Sequence, residues 1–596
     1  MGCVERRARL VKPALLRRSI VALAALCLGI SPAWGDACGE RFVPISKVQG
    51  SGERSPLAGK LIAVEGLVSG LFPGSDQLSG LYLISAQGDA DDRVQTSEGL
   101  FVHIPVRKGS APGMMPALGE RIRVRGRVRE YHGLTELANA RQIEICSPGE
   151  GPPAAEPLRW PLAVPEQQEA MLVEVGPLTV TDQRELERFG SLRLATERLQ
   201  VPTQVVPPGR AAEQHARSNR ERSIVLDDGS IQTSPGGRYE LSWDAVAATG
   251  QRARPIRRGD RTGRIRAILD FRFGEWRLQP VSEVAVLPTN ARPEPLPASK
   301  GLRLVAFNLG NFFNGDGRGY NFSSGRGASD RGGYMRQRDQ LVTAIHALKP
   351  DLLAVAEIEN DGHGPNSAVA DLARALGSSW RYVDFGGATG GDAIANGILY
   401  NSARLTQVGQ AATLEAGAFA RGNRPALAAA FRAGKSGETR VVVANHFKSK
   451  RCNNATGAQV ESGDGQGCWG PLRAQAAAEL VAWLKTDPTG TGSTDQVVMG
   501  DLNSYRREAP LMALADGGFF NPSAVDSYSY SFKGEVGTLD YILPSAGLES
   551  AVLQSGTWRA NVDEPAAPAE LGPLRGEPWR ASDHDPVWLD LKWPAR

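Results

Sequence analysis

The chain has 596 residues, 41% of them hydrophobic and 22% charged. That is an ordinary globular composition on a chain too long for one core, so roughly two to four domains are expected. Gly (68) and Pro (39) are enriched, which favours strands and loops over long helices. The formal net charge of +3 gives no support for polyanion binding, because it resides in the first 35 residues: these carry six basic residues and one acid, leaving 62 Lys+Arg against 64 Asp+Glu. Any attraction to a polyanion must therefore be local.

Arg6, Arg7, Arg9, Lys12, Arg17 and Arg18 precede an apolar run from Ile20 to Ile30, and Ala33-Trp34-Gly35 follows with small residues at both cleavage-site positions. This is the pattern of a secretory signal cleaved after Gly35, and the run is too short to span a bilayer readily. Leu26 before Cys27 argues against a lipoprotein site. Secretion or a periplasmic location is expected, without stable membrane insertion. Cys3 and Cys27 leave with the signal, and Cys38, Cys146, Cys452 and Cys468 remain. An even count in an exported chain points to two disulfides. Sequence position favours Cys38–Cys146 and Cys452–Cys468 over the two other pairings.

Residues 36–150 read as an all-β domain. LIAVEGLVSG (61–70), GLYLIS (80–85), GLFVHIPV (99–106) and RIRVRGRVRE (121–130) are strand-like. The last alternates, with Ile122, Val124 and Val128 on one face and arginines on the other. About five strands in this length suit a small barrel of the OB-fold kind. Residues 151–297 form a second β-rich domain with strands at 171–182 and 263–281 and a short polar helix near 211–222. Within it, QRARPIRRGDRTGRIR (251–266) places seven arginines beside one acid. The run reads either as a phosphate-contacting surface or as the solvated face of alternating strands. ARPEPLPASK (291–300) is a Pro-rich linker.

From 298 to the end, strands alternate with helical stretches at 334–349, 367–376, 471–485 and 508–516, which predicts an α/β or α+β layered domain. Its apolar runs meet polar residues in a recurring way. LRLVAFNLGN, DLLAVAEIEN, VVVANHFKSK, VVMGDLNS and TLDYILPS carry Asn308, Glu357, His446, Asp501 with Asn503, and Asp540; ASDHDPV places Asp583 and His584 before a final strand. One sheet edge would then collect carboxylates, amides and two imidazoles, an inventory suited to divalent-metal-assisted hydrolysis of phosphate esters. Glu357, with Asn308 and Asp583, offers the oxygen donors a hard cation such as Mg²⁺ needs. His446 and His584 can exchange protons or stabilise phosphate charge. Asp501 and Asn503, two apart, would face one side of an extended strand. Asp540 could hold an imidazole in one tautomer.

These motifs resemble the endonuclease/exonuclease/phosphatase superfamily, and more narrowly the large secreted bacterial nucleases (ExeM-type) in which OB-like modules precede the catalytic domain. VQGSGERSPLAGKLIAVEGLVSG (48–70), YHGLTELA (131–138), EIENDGHGPNSAVADLARAL (357–376) and ANHFKSKRC (444–452) carry the likeness. The resemblance implies a four-layer α/β sandwich with the site at one end of two packed sheets. It implies Asn308, Glu357 and Asp583 at the metal, His446 and His584 as the histidines, and Asp501 and Asn503 around the phosphate. It implies Asp540 behind His584, and Arg424 of GNRPALAA as a phosphate contact. Arg473 stands in a conspicuous motif without an assigned role, and a tyrosine found in pancreatic-type deoxyribonuclease has no match near GDAIANGILY (391–400). Lys448, Lys450 and Arg451, directly after His446, are expected to contact the DNA backbone. The expected activity is metal-dependent hydrolysis of DNA, sequence-tolerant and extending to RNA as an option, with Mg²⁺ or Mn²⁺ and an added Ca²⁺ as candidates. A sphingomyelinase or phosphatase on the same fold, or a non-catalytic DNA-binding protein, are the alternatives, and a monomer is the expected state.

Overall fold

A computed structural model describes residues 37–594 apart from 92, 106–114, 150, 234–243, 247–251, 318–321, 323–324, 435–436 and 566–575. The expected signal segment lies outside the described residues. Five strands, Leu61–Phe72, Gly80–Ile84, Gly99–His103, Arg121–Tyr131 and Leu134–Ser147, close into a barrel. Ile122, Val124 and Val128 point into its core as the alternation requires. Arg123 is the exception on the opposite face: it is buried and ion-paired with Glu65 at 2.7 Å. Cys38 and Cys146 are bonded across the chain ends of this barrel.

The second unit is a nine-stranded sheet formed from strands between Glu156 and Leu287. The two long runs expected as single strands are each broken. Residues 171–182 form Leu172–Val175 and Thr179–Asp182, and 263–281 turn back on themselves as the hairpin Ile265–Arg272 and Glu275–Pro280. Phe273 and Gly274, both at positive φ, make that turn. Tyr82, Phe101 and Leu134 of the barrel pack against Leu172 and Ile268 of this sheet.

The third region has a six-stranded and a five-stranded sheet facing each other. Leu304, Ala306, Leu352 and Ala354 from one meet Leu427, Phe431, Val442, Val497 and Met499 from the other. Helices Arg331–Leu348 and Ala368–Leu376 cover the outer face of the first sheet, and Gly470–Leu484 and Ala509–Asp516 that of the second. Because both faces are covered, strands such as Thr439–His446 are apolar on both sides, with Val441 and Val443 outward and Val442 and Ala444 inward. Asp330 and Ser367 cap the first two helices by accepting from the Gly333 and Ala370 amides.

Arg303 ties the edge of this core. It is fully buried, pairs through two nitrogens with the Asp590 carboxylate at 2.7 and 2.8 Å, donates to the Pro297 and Leu348 carbonyls, and lies over the Trp588 ring. The Pro-rich 291–300 segment is therefore docked along the third region and not a free spacer: Leu296 donates to the Ala347 carbonyl, and the Glu294 carbonyl accepts from Trp558. No helix among the described residues is long and apolar enough to cross a membrane. Removing one partner of a fully buried pair strands the other charge. Asp590→Ala is therefore expected to destabilise the third region by about 3–5 kcal/mol, measured as a shift of its denaturant midpoint.

Candidate active site

The residues singled out in the sequence converge at one edge because strand direction and register agree. In the five-stranded sheet, Thr439–His446 and Gln496–Asp501 run parallel and end together, with His446 beside Asp501. The two flanking strands run the other way, so their first residues reach the same edge: Arg424 lies opposite His446, and Asp540 opposite Asp501. The six-stranded sheet contributes Asn308 and Glu357 from parallel neighbours, and His584 arrives just before the antiparallel strand Val587–Leu591.

Glu357 sits where pairing slips between Val355 and Ile358, and its φ is +58°. A glutamate in the left-handed region costs on the order of 1–3 kcal/mol, and such strain with a bulge re-aims a side chain out of the ladder. Burial, then the nearby Asp583 carboxylate, raises its pKa. Asp583 itself is exposed, at the rim.

Asp501 is the centre of the cluster. Its Oδ2 accepts from Asn308 Nδ2 at 3.1 Å and lies 3.5 Å from His446 Nε2 and 4.0 Å from His584 Nε2. Burial, with the Asp540 and Glu357 carboxylates adding to it against His584, pushes Asp501 up to about 7. Asn503 does not share a strand face with it. The strand stops at Asp501, and the chain turns so that the Asn503 amide donates to Asp501 Oδ1 at 2.8 Å, with Asn503 at φ +45°. A local side-chain-to-backbone bond, not pleat periodicity, brings the two together, and Asn503 Nδ2 donates to the Phe447 carbonyl.

The two histidines occupy opposite electrostatic settings. His584 Nδ1 is 2.7 Å from Asp540 Oδ2, which also accepts from Ser529 Oγ. Burial alone would lower the His584 pKa, but Asp540 and Asp501 outweigh it and raise the pKa well above the ordinary imidazole value. His446 is driven well below it, by burial and then by Arg424, whose Nη1 stands 3.4 Å from Nε2. Arg424 is buried, and its other nitrogen pairs with Asp392 at 3.1 Å. Sequence reasoning missed Asp392, Ser529 and Tyr530; the Tyr530 ring lies tilted against His584, centroids 4.7 Å apart. None of the three ends an apolar run as the singled-out residues do.

The three basic residues after His446 part ways. Arg451 is exposed, and Lys448 lies half-buried over the Trp469 ring. Lys450 turns inward, its Nζ 2.6 Å from both Glu508 oxygens, and burial lowers its pKa to about 8. Cys452 and Cys468 are bonded. Arg473 closes that loop from below. It is fully buried and donates to the carbonyls of Lys448, Gln466 and Cys468. Its motif thus shapes the segment that leaves His446.

A divalent cation fits this edge. Asp540 Oδ1 is buried with no hydrogen-bond partner, Glu357 and Asp501 are crowded carboxylates, and ligand atoms of Asp501, Asp540 and His584, a group other than the expected Asn308, Glu357 and Asp583, lie within 4.8 Å of one another. Oxygen-rich donor sets of this kind suit Mg²⁺ or Mn²⁺.

Residues 305–584 match the model of the Endonuclease/Exonuclease/phosphatase family. The third region of the chain is thus a domain of that family, whose members are typically hydrolases, some acting on nucleic acids, and usually depend on divalent metal. Solved structures similar to it include the mannosyl-6-phosphatase Bt3783 of Bacteroides thetaiotaomicron VPI-5482 (15% identity, 49% of this chain and 99% of that one, TM-score 0.34). The human Nocturnin catalytic domain with bound sulfate is another (15%, 50% and 96%, 0.33). So is D. rerio TDP2 complexed with a single-strand DNA product (15%, 49% and 98%, 0.30). No curated protein matches the chain.

The raised His584 pKa has a signed consequence. Its ion pair stabilises the metal-free fold fully below the ordinary imidazole value of 6.5, and that contribution is lost as pH rises through the higher folded value. Melting temperature followed from pH 5 to 10 in EDTA should therefore carry a fall above neutrality that Asp540→Asn removes.

Proposed function

We propose that this chain is an exported, divalent-cation-dependent phosphodiesterase that hydrolyses DNA without strong sequence preference, a secreted nuclease in which an OB-like barrel precedes a four-layer catalytic sandwich. One observation carries the reading. A buried carboxylate, Asp501, is shared by Asn308 and two histidines of opposite charge tendency, with a buried arginine alongside. The closed five-stranded barrel supports a polymeric nucleic-acid substrate, since barrels of that kind often bind single strands. Two disulfides are compatible with export.

The residues divide the reaction as follows. Arg424 and Asn503 face the scissile phosphate and offset charge that develops on its oxygens. Asp501, with a pKa of about 7, is matched to take a proton from the attacking water at neutral pH. His584, kept cationic by Asp540, donates to the phosphoryl or leaving oxygen. His446 stays neutral and orders the space between Arg424 and Asp501. With Asp501, Asp540 and His584 taken up by proton transfer, Glu357, with Asn308 and Asp583, would hold a divalent cation, which would supply Lewis-acid neutralisation of the phosphate charge. Arg451 and Lys448, beside His446, contact the DNA backbone, whereas Lys450 serves the loop's internal structure.

Supercoiled plasmid incubated with the mature protein and Mg²⁺ is expected to be nicked, nicking is expected to stop in EDTA, and His446→Ala is expected to abolish it. Intact plasmid under Mg²⁺, Mn²⁺ and Ca²⁺ alike would sink this reading and direct the search to phosphomonoesters and lipid phosphodiesters. In the active protein, Asp501→Asn should lower kcat by roughly 10²–10⁴-fold, the span usual for loss of a general base.

A further inference from the structure

The arginine run at 251–266 is neither a phosphate-contacting surface nor a solvated strand face at its centre. Arg257 and Arg258 are buried, and they point into the third region. Arg257 pairs with Glu564 at 2.7 Å and donates to the Arg559 carbonyl at 3.0 Å. Arg258 donates to the Val562 carbonyl and, through its backbone amide, to the Asp563 carbonyl. Arg198 grips both oxygens of Asp563 at 2.9 and 3.1 Å, Gln183 donates to the Asp563 carbonyl, and Arg292 takes both oxygens of Glu564. Four arginines of the middle domain and its linker thus hold one short loop, 559–564, whose two acids are themselves buried.

That loop leads to the site in one step. Asn561 Nδ2 donates to the His584 carbonyl at 2.8 Å, and the Asn561 and Val562 amides donate to Asp585 at 2.7 and 3.1 Å. The Asp585 amide in turn donates to the Ser529 carbonyl, and Ser529 Oγ donates to Asp540, the partner of His584. A second arm reaches the other histidine. Thr203 Oγ1 donates to Glu508 at 2.7 Å, and Glu508 holds Lys450, four residues beyond His446. Between the two arms the middle-domain strand Leu199–Gln200 pairs in parallel with Glu535–Gly537, and Gln204 Oε1 accepts the Thr538 amide, two residues before Asp540.

We infer that the middle domain is a positioning element of the catalytic site, with Arg198, Arg257 and Arg258 acting through the 559–564 loop to fix the His584–Asp540 pair, and Thr203 acting through Glu508 to fix the segment after His446. The inference rests on the proposed hydrolase reading for its kinetic consequence, but not for its structural one. A site held by a network extending beyond its own domain depends on that network to well under an ångström, and a displacement of about 1 Å can cost on the order of 10²-fold in rate.

The test uses the full chain. Arg198→Ala, Arg198→Lys and the milder Thr203→Val are compared with Arg123→Ala, which breaks a barrel ion pair remote from the site. Hydrolysis of bis(p-nitrophenyl) phosphate with Mg²⁺ gives kcat and KM, and hydrogen exchange of peptides covering 580–590 reports on the loop without any activity. Arg198→Ala is expected to speed exchange in 580–590 and lower kcat at least tenfold with KM changed less than twofold, Arg198→Lys to recover part of both, and Thr203→Val to lower kcat several-fold. Arg123→Ala is expected to lower the melting temperature and leave kcat alone. Unchanged exchange in 580–590 overturns the inference whether or not the wild type is active. Faster exchange with unchanged kcat in an active enzyme overturns it too. A wild type inert toward every phosphodiester, yet showing the exchange change, overturns the hydrolase reading and with it the catalytic purpose of the network. If Arg198→Ala does not fold, Thr203→Val with unaltered kcat overturns the second arm, and Arg198→Lys decides the first.

Discussion

Asp501 has to be neutralised, and most of the surrounding architecture serves that requirement. A carboxylate at the end of a strand buried on both faces cannot keep its charge without partners, because the interior solvates it poorly. Asn308 supplies a hydrogen bond and His584 a positive charge. Asp540 and Glu357 increase the need by adding negative charge at the same edge. The cluster therefore favours proton donors, arginine and a divalent ion together, which is the equipment that phosphate ester hydrolysis uses. Stability and chemistry are coupled here: the strain at Glu357 and the pKa displacement at Asp501 are held in place by two well-packed sheets beneath them.

The joint between the middle domain and the third region obeys the same rule with opposite sign. Arg198, Arg257, Arg258 and Arg292 enter a low-dielectric contact, and each meets a carboxylate or carbonyl of the 559–564 loop. An arginine fork can satisfy several acceptors at once, so it suits such a joint better than lysine would. The near-neutral balance of residues 36–596 fits this use of its arginines, since many of them are paired internally and contribute little to an external field. A Pro-rich segment that looks like a spacer becomes part of the joint for a related reason: Pro297 presents a carbonyl that Arg303 needs, and the Glu294 carbonyl receives Trp558.

Several features were legible before any coordinates. Apolar runs interrupted by His446 and Asp501 mark strand ends, whereas Asn308 and Glu357 lie inside Leu302–Phe312 and Leu352–Glu359, where the pairing of neighbouring strands slips. The four helices of the third region lie within a few residues of their expected limits, since apolar periodicity and caps such as Ser367 are local properties. Other features were not legible. Lys448, Lys450 and Arg451 look alike in sequence, yet Lys450 faces Glu508, a residue 58 positions away. Asn503 reaches Asp501 through a turn that the strand pattern does not announce. Tyr530 gives no motif at all and owes its place beside His584 to a hairpin that pairs with a strand of another domain.

The amino-acid sequence by itself determined the alternation of strands and helices in the third region, the chemical kinds of residue gathered at its sheet edge and the even number of cysteines, because these follow from local periodicity, composition and count. Tertiary structure alone decided which charges meet. Register placed Asp540 opposite Asp501 and Arg424 opposite His446, a bulge turned Glu357 into the cluster, and domain packing drew Arg257 and Arg258 inward. Electrostatic partnership depends on distances between residues far apart in the chain, and those distances are fixed only when the sheets twist, pair and pack.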